Sequence, residues 1–343
     1  HVVGVIKNWE IPAKRKVKLR AVGNGGDARW SDGSKFEETE MYSLPVSQES
    51  QRLCSGVTHV LGGDSIDFDV DGAYLNATRP STAPETWIRP AKALREGPIL
   101  QLRDGACRLH KWLYGEQGAG AGWAAWFDER LRAQGWRIVF QSGGETIYER
   151  DGVYLTLYVD DGSAGGLSMQ KVCGFVLQIT EIVRIKPASW LSHFLGLHIH
   201  RARRENQYYL LWEQRAFGEN VLANFVKEYG ASPKHCSTPN LSLKEADEQE
   251  GANLCSPGRF AKSAPSHCGA LLFLCRGSRK DMMNAVQALT QVFREWSTGT
   301  DRRILRVMGY LAATLGFCLV SKTTAGATVS DLVLSAASDS DRA

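Results

Sequence analysis

Between Ile66 and Asp71 apolar and acidic residues alternate strictly, with Ile66, Phe68 and Val70 set against Asp67, Asp69 and Asp71. A period of two is a strand, so the three carboxylates share one face. Such a row of like charges repels itself and requires a cation or solvent to compensate. A second β-rich run, Val153–Val159, ends in Asp160-Asp161. The Asp151-Gly152 pair predicts a tight turn before it, preceded by strands over Trp136–Phe140 and Thr146–Glu149. Helical spacing takes over elsewhere. Trp123, Trp126, Phe127 and Leu131 stand at i, i+3, i+4 and i+8, an amphipathic helix ending near Gly135. Further helices are predicted at about 169–183, 216–228, 282–296 and 301–315. Strand signals run over 64–75, near 98–114 and around Phe194–His200, and the polar stretch Ser237–Gly251 is the best linker candidate. Helices set between antiparallel strands predict an α+β fold.

Composition narrows this only a little. With 343 residues, 43% hydrophobic and 23% charged, the chain has room for one to three globular domains. A net charge of +4 does not by itself establish a polyanionic partner. Its distribution says more. Residues 1–20 hold Lys7, Lys14, Arg15, Lys16, Lys18 and Arg20 against Glu10 alone, and smaller clusters follow at Arg201, Arg203 and Arg204 and at Arg302, Arg303 and Arg306. Such patches suit phosphate backbones. The eight cysteines contain no Cys-x-x-Cys pair, which predicts a reduced, intracellular protein. His235-Cys236 and His267-Cys268 do not have the spacing of a closed zinc site. The apolar stretch Val307–Val320 is too short to span a bilayer and reads as a core helix, so no membrane partner is expected. The chain begins at His1 rather than Met, as a piece of a longer protein would.

Two strands delivering carboxylates to one point, Asp69 from one and Asp160 with Asp161 from the other, suit a two-metal phosphoryl-transfer centre. Other readings stand beside this one. Asp67-x-Asp69-x-Asp71-Gly72 also opens a calcium loop, but Thr78 occupies the twelfth position where that loop needs Glu. Asp160-Asp161 alone also reads as a surface turn, and Tyr74 alone as a buried strand aromatic.

With these residues placed, the chain resembles the reverse transcriptase of copia-type long-terminal-repeat retrotransposons from about Lys14 onward. Lys16–Gly23 is similar to the fingers segment that grips the incoming triphosphate, and Asp69-Val70-Asp71-Gly72-Ala73-Tyr74-Leu75-Asn76 to the first catalytic motif. Leu113-Tyr114-Gly115 with Trp123 resembles the next block, and Tyr158-Val159-Asp160-Asp161 the catalytic hairpin. Phe194-Leu195-Gly196-Leu197 resembles the primer-gripping hairpin, Gln214 with Thr238-Pro239 the path into the thumb, and Ser338-Asp339-Ser340-Asp341 the first strand of a ribonuclease H domain.

The resemblance implies a polymerase right-hand fold: fingers, a palm with an antiparallel sheet, a thumb, and a C-terminal helical connection. Residues 1–240 would be fingers and palm with the start of the thumb, 241–330 thumb and connection helices, and 331–343 the truncated start of ribonuclease H. It implies an RNA-directed DNA polymerase, part of a retrotransposon polyprotein, using two Mg²⁺ ions with Mn²⁺ as a substitute. Asp69, Asp160 and Asp161 would be the catalytic metal ligands, joined by the Val70 carbonyl. Lys16, Lys18, Tyr74 and Gly118 would meet the nucleotide, with Tyr74 excluding a 2′-hydroxyl, and Tyr158, Leu195 and Gly196 would meet the primer. Implied partners are an RNA template, a DNA or tRNA primer, the RNA–DNA hybrid, deoxynucleoside triphosphates and other polyprotein products. The implied location is the cytoplasm, in a virus-like particle, and the nucleus.

The chain departs from the family pattern in places. Gly118, Gly120 and Ala121 stand where the family has Gln, Pro and Arg, and Lys18 where it has Arg. Gly162-Ser163-Ala164-Gly165-Gly166 replaces a β-branched strand and predicts a weak return for the hairpin. Much of the family's N-terminal fingers hairpin is missing. These departures support a second reading, a catalytically impaired or domesticated relic that binds nucleic acid without polymerising.

Overall fold

The alternation around Asp69 forms a strand in the computed structural model, which describes residues 2–7, 16–36, 45–90, 105–143, 145–241, 257–324, 326–331 and 333. The chain divides into two compact units, residues 1–54 with 63–190 and residues 55–62 with 191–343. The fold is α+β with antiparallel sheets. In the first unit, β1 (Val2–Lys7) and β2 (Lys16–Ala21) form a hairpin in register from Val2↔Ala21 to Lys7↔Lys16. The division between units falls within α1 (Gln48–Val60). Next come β3 (Asp64–Asp69), α2 (Ala73–Asn76), the small pair β4 (Trp87–Ile88) and β5 (Cys107–Arg108), and α3 (Ala119–Ala133). The meander β6 (Arg137–Ser142), β7 (Glu145–Arg150), β8 (Val153–Tyr158) and β9 (Asp161–Gly166) follows, then α4 (Met169–Ile179) and β10 (Ser189–Trp190).

The main sheet runs β10-β3-β9-β8-β7-β6, antiparallel throughout. Ile66, Phe68 and Val70 are buried on one face, packed with Trp123, Phe127 and Leu131 of α3 and Val172, Val176 and Ile179 of α4. Each such burial removes a side chain from water at a gain of about 1.5–3 kcal/mol. The acidic positions take the opposite face, as the period of two requires. Asp151 (φ 48°) and Gly152 (φ 80°) make the predicted tight turn between β7 and β8.

Two expectations are corrected here. The strand signal over 64–75 ends at Asp69, followed by one bridge at Val70, because Gly72 turns left-handed (φ 64°) and starts α2. The Asn76 amide secures that turn by donating to the carbonyls of Asp71 (2.9 Å) and Gly72 (3.1 Å). The glycine-rich return is not weak: β9 is a buried central strand paired on both sides, with β3 and with β8. Its glycines permit close packing. A Cβ on Gly162 would lie 2.2 Å from Cζ of Phe68, and one on Gly165 2.3 Å from Oγ of Ser65.

The second unit holds a four-stranded antiparallel sheet, β11 (His193–Phe194), β12 (Leu197–Arg204), β13 (Gln207–Glu213) and, last of the described strands, β14 (Leu319–Thr324). Between β13 and β14 lie α5 (Arg215–Tyr229), α6 (Ala264–Gly277), α7 (Met283–Gln291) and α8 (Thr298–Ala313). Their core includes Phe225, Phe260, Leu271, Leu274, Met282, Leu289, Ile304 and Met308. Helix α8 starts at a capping box in which the Ser297 and Thr300 side chains serve each other's backbone N–H. Buried Arg279 donates to both Asp281 oxygens (3.0 and 2.9 Å) and to the Thr314 hydroxyl (2.6 Å), while the Tyr310 hydroxyl donates to Asp281 (2.9 Å). Helices α1 and α6 were not anticipated from the sequence, and the core helix expected over Val307–Val320 ends at Ala313, with Leu319 and Val320 in β14 instead. Residues 98–104, 242–251 and Ser338–Asp341 of the expected strand, linker and ribonuclease H start lie outside the described residues.

Candidate functional site

Strand register brings the predicted carboxylates into one neighbourhood. Asp69 on β3 lies directly opposite Asp161, the first residue of β9. The Val70 N–H donates to the Asp160 carbonyl at 2.7 Å, so the β8–β9 turn is tied to the end of β3. The Val70 carbonyl points along the same strand edge as its N–H, toward that turn. Tyr158 pairs with Asp161 across the hairpin, and Val159 and Asp160 form the two-residue turn. Val159 takes a positive φ of 58°, a strained setting for a β-branched residue. The Val159 carbonyl accepts from the Trp123 indole N–H of α3 (2.9 Å), which holds the turn in place.

The acidic row is compensated by a segment that the sequence reading did not single out. The backbone of 184–186 runs antiparallel to 69–71: the Lys186 N–H donates to the Asp69 carbonyl (2.8 Å) and the Asp71 N–H to the Arg184 carbonyl (2.9 Å). Side chains follow this register. The Lys186 ammonium is bonded to Oδ1 of Asp69, Arg184 Nε lies 3.2 Å from Oδ2 of Asp71, and the Ser189 hydroxyl donates to Asp67 (2.5 Å). Each acid on the strand thus receives its own partner from one neighbouring segment. The signal was present: Arg184-Ile185-Lys186 alternates charged and apolar with the same period as Asp69-Val70-Asp71. What local periodicity did not supply was the pairing of the two.

Tyr74 sits on α2 rather than on a strand, half-buried, its ring 4.6 Å from that of Tyr114. A cavity of about 90 Å³ beside it is lined by Gly120, Trp123, Phe127, Leu157 and Val159 among others. Gly118 caps the start of α3 in a left-handed conformation (φ 75°), a structural reason for glycine at that position. Gly122 is also required by packing, since a Cβ there would lie 2.1 Å from Cε2 of Trp112. Lys16 and Lys18 lie on β2, placed by its pairing with β1. Leu195 (φ 51°) and Gly196 (φ 77°) form the tight turn between β11 and β12, in the second unit. They therefore belong to a different unit from the carboxylates.

The donor set at the β3–β9 end is all oxygen: carboxylates of Asp69, Asp160 and Asp161 and the Val70 carbonyl. Hard oxygen donors fit Mg²⁺ and do not favour soft metals. Among the described residues no three His, Cys, Asp or Glu side chains are gathered around one point ready to hold an ion, and the Asp69 carboxylate is engaged by Lys186. Among the same residues no helix is long and apolar enough to cross a membrane. No family model matches the chain.

Proposed function

We propose that the protein is an RNA-directed DNA polymerase of the copia-type reverse-transcriptase kind, with the first unit contributing the palm of a right-hand fold. The observation that carries this reading is the register that sets Asp69 opposite Asp161, with Asp160 in the adjoining turn. Asp69, Asp160, Asp161 and the Val70 carbonyl would hold two Mg²⁺ ions, which supply activation of a primer 3′-hydroxyl and charge neutralisation of the leaving pyrophosphate. This chain's own residues do the positioning. Trp123 fixes the turn that presents Asp160, exposed Tyr158 borders the place of a primer terminus, and Tyr74 limits room for a ribose 2′-hydroxyl. Lys16 and Lys18 would attract the triphosphate, and RNA template, primer and deoxynucleoside triphosphates are the partners that follow.

The Lys186–Asp69 ion pair favours a second reading, a relic that binds nucleic acid without extending a primer. Primer extension separates the two. The 343-residue chain with Mg²⁺ and a primed RNA template should incorporate deoxynucleotides, and Asp160→Asn should abolish incorporation while leaving salt-sensitive primer–template binding intact. Binding without incorporation by the unaltered chain selects the relic. Loss of binding together with incorporation in Asp160→Asn makes that aspartate structural.

A further inference from the structure

The 184–189 segment does more than close the edge of the sheet. Its two cations are placed by backbone register against two of the acids, and one of those, Asp69, is the central metal ligand of the proposed site. A carboxylate oxygen bonded to an ammonium cannot offer the same lone pair to a metal ion. Both side chains are also accessible: Lys186 is 51% exposed and Asp69 34%. The pair is therefore exchangeable rather than locked, since an exposed ion pair contributes little and its long cationic arm can swing into water. Lys186 also lies at the rim of the acidic end, where its ammonium offsets the repulsion between Asp69 and the opposite Asp161.

We propose that Lys186 is the resident counter-ion of Asp69, competing with divalent cations for that carboxylate and leaving it when they bind. The proposal rests on the metal-site reading above and adds to it a built-in cation exchange. In the ion-free state Lys186 neutralises Asp69; on metal binding Asp69 turns to the metal and the ammonium is released to solvent. This competition would lower the divalent affinity of the site by the small amount that an exposed ion pair contributes.

The test uses Mn²⁺ alone on the full chain, with free Mn²⁺ counted by electron paramagnetic resonance. Lys186→Met should tighten apparent Mn²⁺ affinity by roughly two- to fivefold, the effect of no longer having to break an exposed ion pair before Asp69 can turn to the ion. Lys171→Met, which removes a charge from α4, should leave it unchanged. A second measurement needs no variant: Mn²⁺ should raise the acetylation rate of Lys186 severalfold, read by peptide mapping, without altering that of Lys171. Saturable binding that is equal in the unaltered chain and in Lys186→Met, or weaker in the variant, or an unchanged Lys186 acetylation rate, overturns the competition while leaving the metal site standing. Absence of saturable binding in both chains overturns the metal site and the competition with it.

Discussion

Asp69 and Asp161 form a cross-strand pair flanked by the Val70–Asp160 hydrogen bond, the arrangement in which opposed side chains approach most closely. Two carboxylates so placed repel, and the Lys186 ammonium on Asp69 offsets part of that repulsion; on the other face Phe68, one position away, packs into the space left by Gly162. Glycine at 162 is therefore a packing requirement of the residue beside the site. Gly162→Ala should destabilise the protein by about 1–3 kcal/mol through overpacking, read as a lower urea midpoint. Phe68→Leu in the same chain should recover part of that loss by vacating the space of the new methyl. If Gly162→Ala unfolds at the unaltered midpoint, the ring does not occupy that space. The same geometry bears on Gly118, where φ is 75°: replacement by Gln costs about 1 kcal/mol of backbone strain whatever it adds at the site.

At the scale of elements, α3 and the β8–β9 hairpin act together. The Trp123, Phe127 and Leu131 stripe made α3 legible in the sequence, and the Asp-Gly pair made the β7–β8 turn legible. Two features were not: the indole bond from Trp123 to the turn, and the 184–189 segment alongside β3. Both join residues far apart in the chain, and local periodicity carries no register between segments. Helix α6 escaped for another reason. Its buried stripe of Ala264, Cys268, Leu271 and Cys275 is built partly from small residues, and Gly269 on the exposed side lowers the helix propensity, which weakens the helical signal. Trp123→Phe tests the coupling of α3 to the turn. It keeps the aromatic packing and removes the N–H, leaving the Val159 carbonyl without that donor at a cost of about 1–2 kcal/mol. Hydrogen exchange at the Val70 amide, which bonds the Asp160 carbonyl, should accelerate in the variant beyond any global change. Unchanged exchange there would show that the indole bond does not hold the turn.

At the scale of the whole molecule, each unit has its own core, and the second unit carries a charge network that ties its stability to pH. Burial acts to raise the Asp281 pKa, but the two hydrogen bonds and the charge of Arg279, with the Tyr310 hydroxyl, outweigh it and hold the carboxyl below its ordinary value. A folded-state pKa depressed in this way stabilises the fold fully above the unfolded value of about 3.9, and that contribution is lost as pH falls through the lower folded value. Asp281→Asn should therefore weaken the second unit at neutral pH and flatten its loss of stability in acid. Arg279, with a side chain only 3% exposed, would be left without its counter-charge. The expected cost is roughly 2 kcal/mol, below that of a fully buried pair because 33% of the Asp281 side chain is exposed. Cys268 is a local reporter, since its thiol is buried in this core and pushed up to about 11 by that burial. A pyridyl disulfide, which reacts with thiols in acid, should label Cys268 at lower urea in Asp281→Asn than in the unaltered chain at pH 7. The gap between the two midpoints should narrow by pH 3, where the unaltered carboxyl is already losing its advantage. Equal midpoints at pH 7, or a gap that widens in acid, would mean that the Arg279–Asp281 pair does not hold this unit together.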